Sequence, residues 1–287
     1  MMDSYRKLHI MEKRYQDMKV NCLYFSPTGG TKRVMDFMAE ELPVDCWVDL
    51  SVRDFDYSQF SFDEKDVCLI AVPSYGGRVP GIVLERLRSM QVRGARAVLV
   101  AVYGNRHYDD TLLELRNEAV SSGFVVRAAV AALAEHSIVR QYAAGRPDEE
   151  DRKQLHELAR KIKSSLEAEG ECAQVSGADS EEEDEREPLI PGNMPYREYH
   201  GVPVKPKAGK ACNKCGKCAQ LCPVGAIPKD EPGSVEEEKC ISCMRCVSVC
   251  PQHARKVNPI IIMATAKKLK NVCSERKENE LFIGSQQ

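Results

Sequence analysis

From position 20 the chain runs as short apolar blocks separated by segments with helical spacing. "VNCLYFS" predicts a buried strand, "CWVDL" a short one, and "DVCLIAVPS", "ARAVLVAVYG" and "FVVRAAVAAL" three strongly apolar ones. "GGTKRVMDFMAEEL" predicts a helix with Val34, Phe37, Met38 and Leu42 on one face. "GIVLERLRSM" predicts a second helix. "DDTLLELRNEAVSSG" predicts a third, opened by an aspartate cap and closed by Gly123. "RPDEEDRKQLHELARKIKSSLEAEG" predicts a long fourth, with proline and acids in its first turn. Strands alternating with helices predict an α/β domain over residues 18–170, a doubly wound, five-stranded parallel sheet with helices on both faces.

The pattern changes on either side. Residues 1–17 are polar and charged, with Tyr5, Leu8, Tyr15 and Met18 loosely on one helical face; they predict an N-terminal extension. Residues 171–204 include "ADSEEEDERE". Like charges repel there and little can be buried, which predicts an exposed acidic linker. A cysteine-rich domain follows over 205–258. Residues 259–287 predict a helical tail whose apolar positions need a docking surface, which the α/β domain can supply.

The 287 residues suffice for two ordinary domains, and a net charge of −2 gives no footprint for nucleic acid or a membrane surface. No apolar run approaches a membrane span; "PIIIMA" (259–264) is far too short. The charged start lacks the apolar core of a signal peptide, so a cytoplasmic protein is expected. Without a secretory signal, the thirteen cysteines are poorly explained as a disulfide framework. Cys22 and Cys68 lie inside apolar strands, where a small buried side chain explains them. Cys46, Cys172 and Cys273 form no pattern.

The other eight cysteines do. "CNKCGKCAQLCP" (212–223) and "CISCMRCVSVCP" (240–251) repeat one skeleton, C-x-x-C-x-x-C-x-x-x-C-P, 28 residues apart. Thiolates are soft ligands that suit zinc or iron–sulfur clusters. Zinc sites use CxxC pairs separated by a longer loop, whereas three cysteines at i, i+3 and i+6 can hold three corners of a cubane. Lys205, Lys207, Lys210, Lys214 and Lys217 flank the first run; they either offset cluster charge and attract an acidic partner, or form an ordinary solvated surface.

Three further loops carry candidate chemistry. "YFSPTGGTKR" joins the first strand to the first helix, where backbone N–H groups and small hydroxyls suit a phosphate. Neither G-x-x-x-x-G-K-[ST] nor G-x-G-x-x-G is present, which argues against a nucleotide triphosphatase and a typical NAD site. "VPSYGGRVP" (72–80) and "VYGNRHYDD" (102–110) follow the third and fourth main strands. In a sheet of order 2-1-3-4-5, these loops meet at the C-terminal strand ends, where ligands bind.

The cysteine segment resembles the two-cluster [4Fe–4S] ferredoxin domain. That resemblance implies one cluster on Cys212, Cys215, Cys218 and Cys250, and another on Cys240, Cys243, Cys246 and Cys222. The loops resemble those of flavodoxin, an FMN carrier. Ser26, Thr28, Gly29, Gly30 and Thr31 match its phosphate loop. Ser74, Tyr75, Gly76 and Gly77 match one ring-flanking loop; Tyr103, Gly104, Asn105, Arg106 and Tyr108 match the other. Arg106 and His107 stand where free flavodoxins often place acids, so a very low flavin potential is not implied. Together with "EHS" (135–137), "GRPDEED" (145–151) and "CSERKENELF" (273–282), the domain order resembles flavodoxin–ferredoxin fusion proteins. The resemblance implies electron transfer between two [4Fe–4S] clusters and an FMN, with redox proteins as donors or acceptors. The alternatives are an FMN-dependent reductase of an organic or quinone substrate and a scaffold with structural clusters. No acid–base or nucleophile constellation singles out a catalytic residue. His136 either serves the flavin or is structural.

Overall fold

The computed structural model describes residues 18–172, 187–202 and 204–284. The expectations for residues 1–17 and for the acidic run up to 186 lie outside the described residues.

Five parallel strands form the sheet: β1 (Lys19–Tyr24), β2 (Cys46–Asp49), β4 (Asp66–Pro73), β6 (Arg96–Tyr103) and β7 (Val125–Leu133). β3 (Ser61–Asp63) and β5 (Gln91–Arg93) make a separate small parallel pair. The order along the sheet is β2-β1-β4-β6-β7, so the main strands run 2-1-3-4-5, the flavodoxin-like doubly wound arrangement. Register is set by burial on both faces. Cys22 sits between Trp47 and Leu69 across the sheet. In β4, Cys68, Ile70 and Val72 belong to one core layer and Val67, Leu69 and Ala71 to the other, a period of two that places successive side chains on opposite faces. Each fully buried Leu or Ile there contributes about 1.5–3 kcal/mol by leaving water.

Helices α1 (Gly30–Ala39) and α4 (Glu149–Cys172) cover one face, and α2 (Gly81–Ser89) and α3 (Thr111–Ser121) the other. Among the described residues no helix is long and apolar enough to cross a membrane.

The sheet has a sixth strand that the sequence pattern did not predict. The tail is helical only over Pro259–Cys273, while Glu280–Ile283 pairs antiparallel with β7 and closes that edge. An open edge exposes unpaired backbone groups, and "ELFI" covers it. Leu281 and Ile283 pack into one core layer and Phe282 into the other. The tail helix docks through Ala266 and Cys273 on Val139 and Tyr142. Asn105 Nδ2 fastens its end by donating to the carbonyls of Cys273 (2.9 Å) and Glu275 (2.8 Å).

Residues 187–202, part of the expected exposed linker, are mostly exposed but run as a strap along the α/β domain. Ile190 joins the core, and Arg116 donates to Glu187 at 2.7 and 2.6 Å. Asp110 is the fixed point. It precedes α3 but its side chain does not cap that helix. Its fully buried carboxylate accepts instead from Asn193 N (2.9 Å), Asn193 Nδ2 (3.0 Å) and Arg197 N (2.7 Å). Burial pushes its carboxyl up, but these donors bring it below the usual carboxylate range.

The cysteine-rich unit contains little regular structure: β8 (Lys207–Ala208) pairs with β9 (Arg255–Lys256), and two short helices, Lys217–Gln220 and Arg245–Ser248, stand in the two repeats. The repeats share backbone detail. Gly216 (φ 74°) and Met244 (φ 62°) occupy equivalent left-handed positions before those helices. Ala226 N donates to Cys222 Sγ and Ala254 N to Cys250 Sγ, both at 3.3 Å.

Candidate functional site

The eight repeated cysteines divide into two walls. One cavity is lined by Cys222, Cys240, Cys243 and Cys246. A second is lined by Cys212, Cys215, Cys218 and Cys250. Each wall therefore takes three thiols from one repeat and its fourth from the other. Among the described residues no three His, Cys, Asp or Glu side chains converge tightly enough to grip a single metal ion. Thiols spread around a cavity suit a guest of several atoms.

The chemistry of the walls fits a thiolate-ligated group. Burial, reinforced by Cys222, Cys246 and Cys240, pushes the Cys243 thiol up to about 12. Burial also raises Cys246 to about 12. A metal group held on this wall would take these sulfurs as thiolates and displace their protons. For Cys250 burial works upward, but N–H donors from Arg255, Ala254 and Gln252 bring the thiol below its ordinary value. Ile227 and Val224 line or border the walls and limit water access.

A third cavity opens at the C-terminal ends of the strands. Ser26, Thr28, Gly30 and Thr31 line it from the β1–α1 loop, Ser74 and Tyr75 from the loop after β4, and Tyr103 and Gly104 from the loop after β6. Ser26 Oγ accepts from Lys32 N at 2.9 Å and so satisfies one N–H of the first helical turn. Gly29 precedes α1 with φ 95°, outside the cavity wall.

Several other residues singled out from the sequence stand elsewhere. Gly76 and Gly77 lie beneath the strap: a Cβ on Gly76 would come within 2.3 Å of the Tyr199 ring, and one on Gly77 within 2.8 Å of the Arg197 side chain. Asn105 faces the tail, and Arg106 pairs with Asp109. Tyr108 is buried, stands edge-to-face with Tyr103 at 5.4 Å, and donates its hydroxyl to Glu280 of the sixth strand at 3.2 Å. Ser74 lies on the wall with its hydroxyl 2.7 Å from that of Thr111.

Glu135, His136 and Ser137 complete the wall. Their sequence signals were their place directly after the fifth main strand and the "EHS" resemblance, with His136 alone weighed for a role at the flavin. His136 Nδ1 accepts from the N–H groups of Ile138 and Val139, both at 3.2 Å. Burial lowers its pKa to about 4. It is therefore neutral near pH 7, with its proton on Nε2. Gly104 lets it approach: a Cβ there would stand 2.6 Å from His136 Cα.

The strand-end cavity and one thiol wall are neighbours. Arg245, between Cys243 and Cys246, donates to the carbonyl of Ser26 at 3.3 Å. Arg86 reaches from α2 to the carbonyl of Pro223 at 2.9 Å, and Ile241 packs against the α/β core. Burial raises the Tyr75 phenol well above its ordinary value, and Cys243 adds to that rise. The wall of Cys222, Cys240, Cys243 and Cys246 thus adjoins the loops after β1 and β4 through Arg245, and Cys243 is the thiol that acts on Tyr75.

A family model described as "4Fe-4S dicluster domain" matches residues 211–254. The chain is similar to the thiosulfate reductase electron transfer subunit PhsB of Salmonella typhi, with 43% identity over 53 residues, 17% of this chain and 28% of that protein. It is also similar to the menaquinone reductase iron-sulfur cluster-binding subunit of Nitratidesulfovibrio vulgaris, with 39% identity over 64 residues, 21% of this chain and 24% of that protein. The chain thus spans about a quarter of the length of these curated relatives. Among solved structures, a flavodoxin of Streptococcus pneumonia TIGR4 aligns over 52% of this chain and 98% of its own, with 19% identity and a TM-score of 0.38. A flavodoxin of Fusobacterium nucleatum bound to flavin mononucleotide aligns over 54% and 98%, with 16% identity and a TM-score of 0.34.

Proposed function

We propose that this chain is an electron-transfer protein that holds two [4Fe–4S] clusters and one FMN and passes electrons between them. The observation that carries the proposal is the contact between a four-cysteine wall and the strand-end cavity through Arg245 and Tyr75. The match of residues 211–254 to a dicluster domain, and the likeness of that segment to an electron transfer subunit and an iron-sulfur cluster-binding subunit, support the cluster part. The sheet order, which places three loops at one cavity, supports the flavin part.

In this proposal Cys212, Cys215, Cys218 and Cys250 hold one cluster and Cys222, Cys240, Cys243 and Cys246 the other. Clusters exchange single electrons and FMN holds one or two, so together they join one-electron to two-electron chemistry. The protein's residues bind, position and tune. The Ala226 and Ala254 N–H groups donate to ligand sulfurs and stabilise negative charge on them. Residues Ser26, Thr28, Gly29, Gly30 and Thr31 form the phosphate loop at the N-terminus of α1. Tyr75 and Tyr103 supply aromatic surface, and His136 offers a neutral Nε2–H donor at the wall. Arg86 and Arg245 hold the cysteine-rich unit against the loops. Redox proteins are the proposed partners.

Anaerobic purification followed by iron, sulfide and flavin analysis tests the proposal. Two cubanes require about eight irons per chain, and released flavin should be FMN. Stoichiometric zinc without sulfide, or FAD in place of FMN, would contradict it.

A further inference from the structure

One position buried in both cysteine repeats carries different residues. The first continues from Cys222 as C-P-V-G-A-I and the second from Cys250 as C-P-Q-H-A-R. Ile227 ends the first; it is 3% exposed and packs against Cys218 and Ala219. Arg255 takes the equivalent place in the second and is 2% exposed. A cation has replaced an aliphatic side chain without moving to the surface.

Among the described residues Arg255 has no carboxylate partner to account for that burial. Nη1 donates to the carbonyl of Pro206 (3.1 Å), and Nη2 to those of Pro232 (2.6 Å) and Ser234 (2.7 Å). All three acceptors are neutral. Its Nε–H is buried and has no acceptor among the described residues. A buried charge without a counter-charge costs several kcal/mol. The side chain also forms part of the wall with Cys212, Cys215, Cys218 and Cys250. A cation, an unused N–H and four thiols therefore share one cavity. The assembled centre expected there is an anion, because its four thiolates outweigh the positive charge of the cubane core.

We propose that Arg255 is the fixed counter-charge of the iron–sulfur centre on Cys212, Cys215, Cys218 and Cys250, and that it raises that centre's reduction potential. The inference rests on the cluster proposal above. Adding one electron makes the centre more negative, so a nearby cation stabilises the reduced form more than the oxidised form. The low dielectric of the buried site strengthens the effect. Net charge and hydrogen bonding are established levers on cluster potential.

The test uses the full chain, purified anaerobically, with R255M, R255Q and R255K beside the parent. Iron and sulfide analysis establishes loading, and a redox titration followed by electron paramagnetic resonance gives both midpoints. With iron retained, R255M and R255Q should lower one midpoint more than the other. The one-electron reduction equilibrium should become about tenfold less favourable, about 59 mV. R255K should restore most of the loss because it keeps the charge. Unchanged midpoints in loaded R255M and R255Q would overturn the proposal. A fall in R255K equal to that in R255M would do the same. Loss of iron from all three variants would mark Arg255 as a structural staple of the Pro206, Pro232 and Ser234 carbonyls. A parent protein without iron and sulfide would remove the cluster proposal itself, an outcome distinct from unchanged midpoints in loaded protein.

Discussion

Replacing Asp110 with alanine should release the strap from the α/β domain. The wild-type carboxylate is fully buried and accepts three N–H bonds from Asn193 and Arg197 at 2.7–3.0 Å. Hydrogen bonds to a charged acceptor contribute about 1.5–3 kcal/mol each. Their sum is not lost in full, because the variant no longer buries a charge and an undocked strap returns its donors to water. A net loss of about 2 kcal/mol is expected, which raises the open population about 30-fold. The bond after Arg197 reports that population, because its carbonyl is held by Arg78 Nη1 at 2.8 Å in the docked strap. Limited trypsinolysis at pH 7.5, read by mass spectrometry, should cut there about 30-fold faster in Asp110→Ala, given that cleavage tracks the open form when reclosing is fast. The pH dependence has a definite sign. The folded carboxyl titrates below its ordinary 3.8, so its stabilisation is complete above that value and is lost as pH falls through the folded pKa. The stability gap between wild type and variant should therefore narrow in acid. Equal cleavage rates at Arg197, with equal urea midpoints, would refute the reasoning.

Cys222→Ser should disturb the cluster proposed on Cys240, Cys243 and Cys246 and leave the paramagnetic signal of the other intact; a change confined to the Cys212, Cys215 and Cys218 centre would refute the crossed arrangement. Thr28→Asp places a carboxylate on the strand-end cavity wall and should expel FMN during purification, measured as flavin per chain; undiminished flavin would count against the phosphate loop. His136 is held neutral, with its pKa lowered from 6.5 to about 4, so its contribution is complete above the unfolded value and declines as pH falls from about 6.5 toward 4. His136→Gln should flatten that part of the stability profile in urea unfolding, whereas an unchanged acid slope would show that the wild-type slope comes from other groups.

What was legible in the sequence was whatever repeats locally. β4, β6 and β7 are near-continuous apolar runs because both faces are covered, and that composition marks them without any knowledge of their partners. The cysteines were legible because ligand spacing is itself a local pattern. The sixth strand was hidden: "ELFI" is four residues behind a charged run, and its partner Ala128–Ala131 lies about 150 positions earlier. The strap was hidden for a related reason. Ile190, Asn193, Tyr196 and Arg197 are isolated anchors without period, placed after an acidic run. Their partners, among them Asp110, carry no sign of the contact; Asp110 before an apolar helix has the sequence signature of a cap. Gly76 and Gly77 signal a close approach, but sequence alone does not say that Tyr199 and Arg197 make it. Arg245 was overlooked because basic residues are common between the repeated cysteines, and Arg255 because it lies four residues beyond the second run; the first is half-buried and the second buried, unlike the exposed Lys217.

The central claim is that clusters and flavin form one path within one molecule, entered at the strand-end cavity from the Cys222, Cys240, Cys243 and Cys246 side. Anaerobic stopped-flow reduction of the full, loaded chain by a low-potential one-electron donor measures it directly, with cluster and flavin absorbance followed together. The flavin phase should follow the cluster phase with a first-order rate independent of protein concentration, and Cys243→Ser should abolish its rapid component while FMN remains bound. A flavin phase whose rate scales with protein concentration, or one as fast in Cys243→Ser as in the parent, would contradict the account.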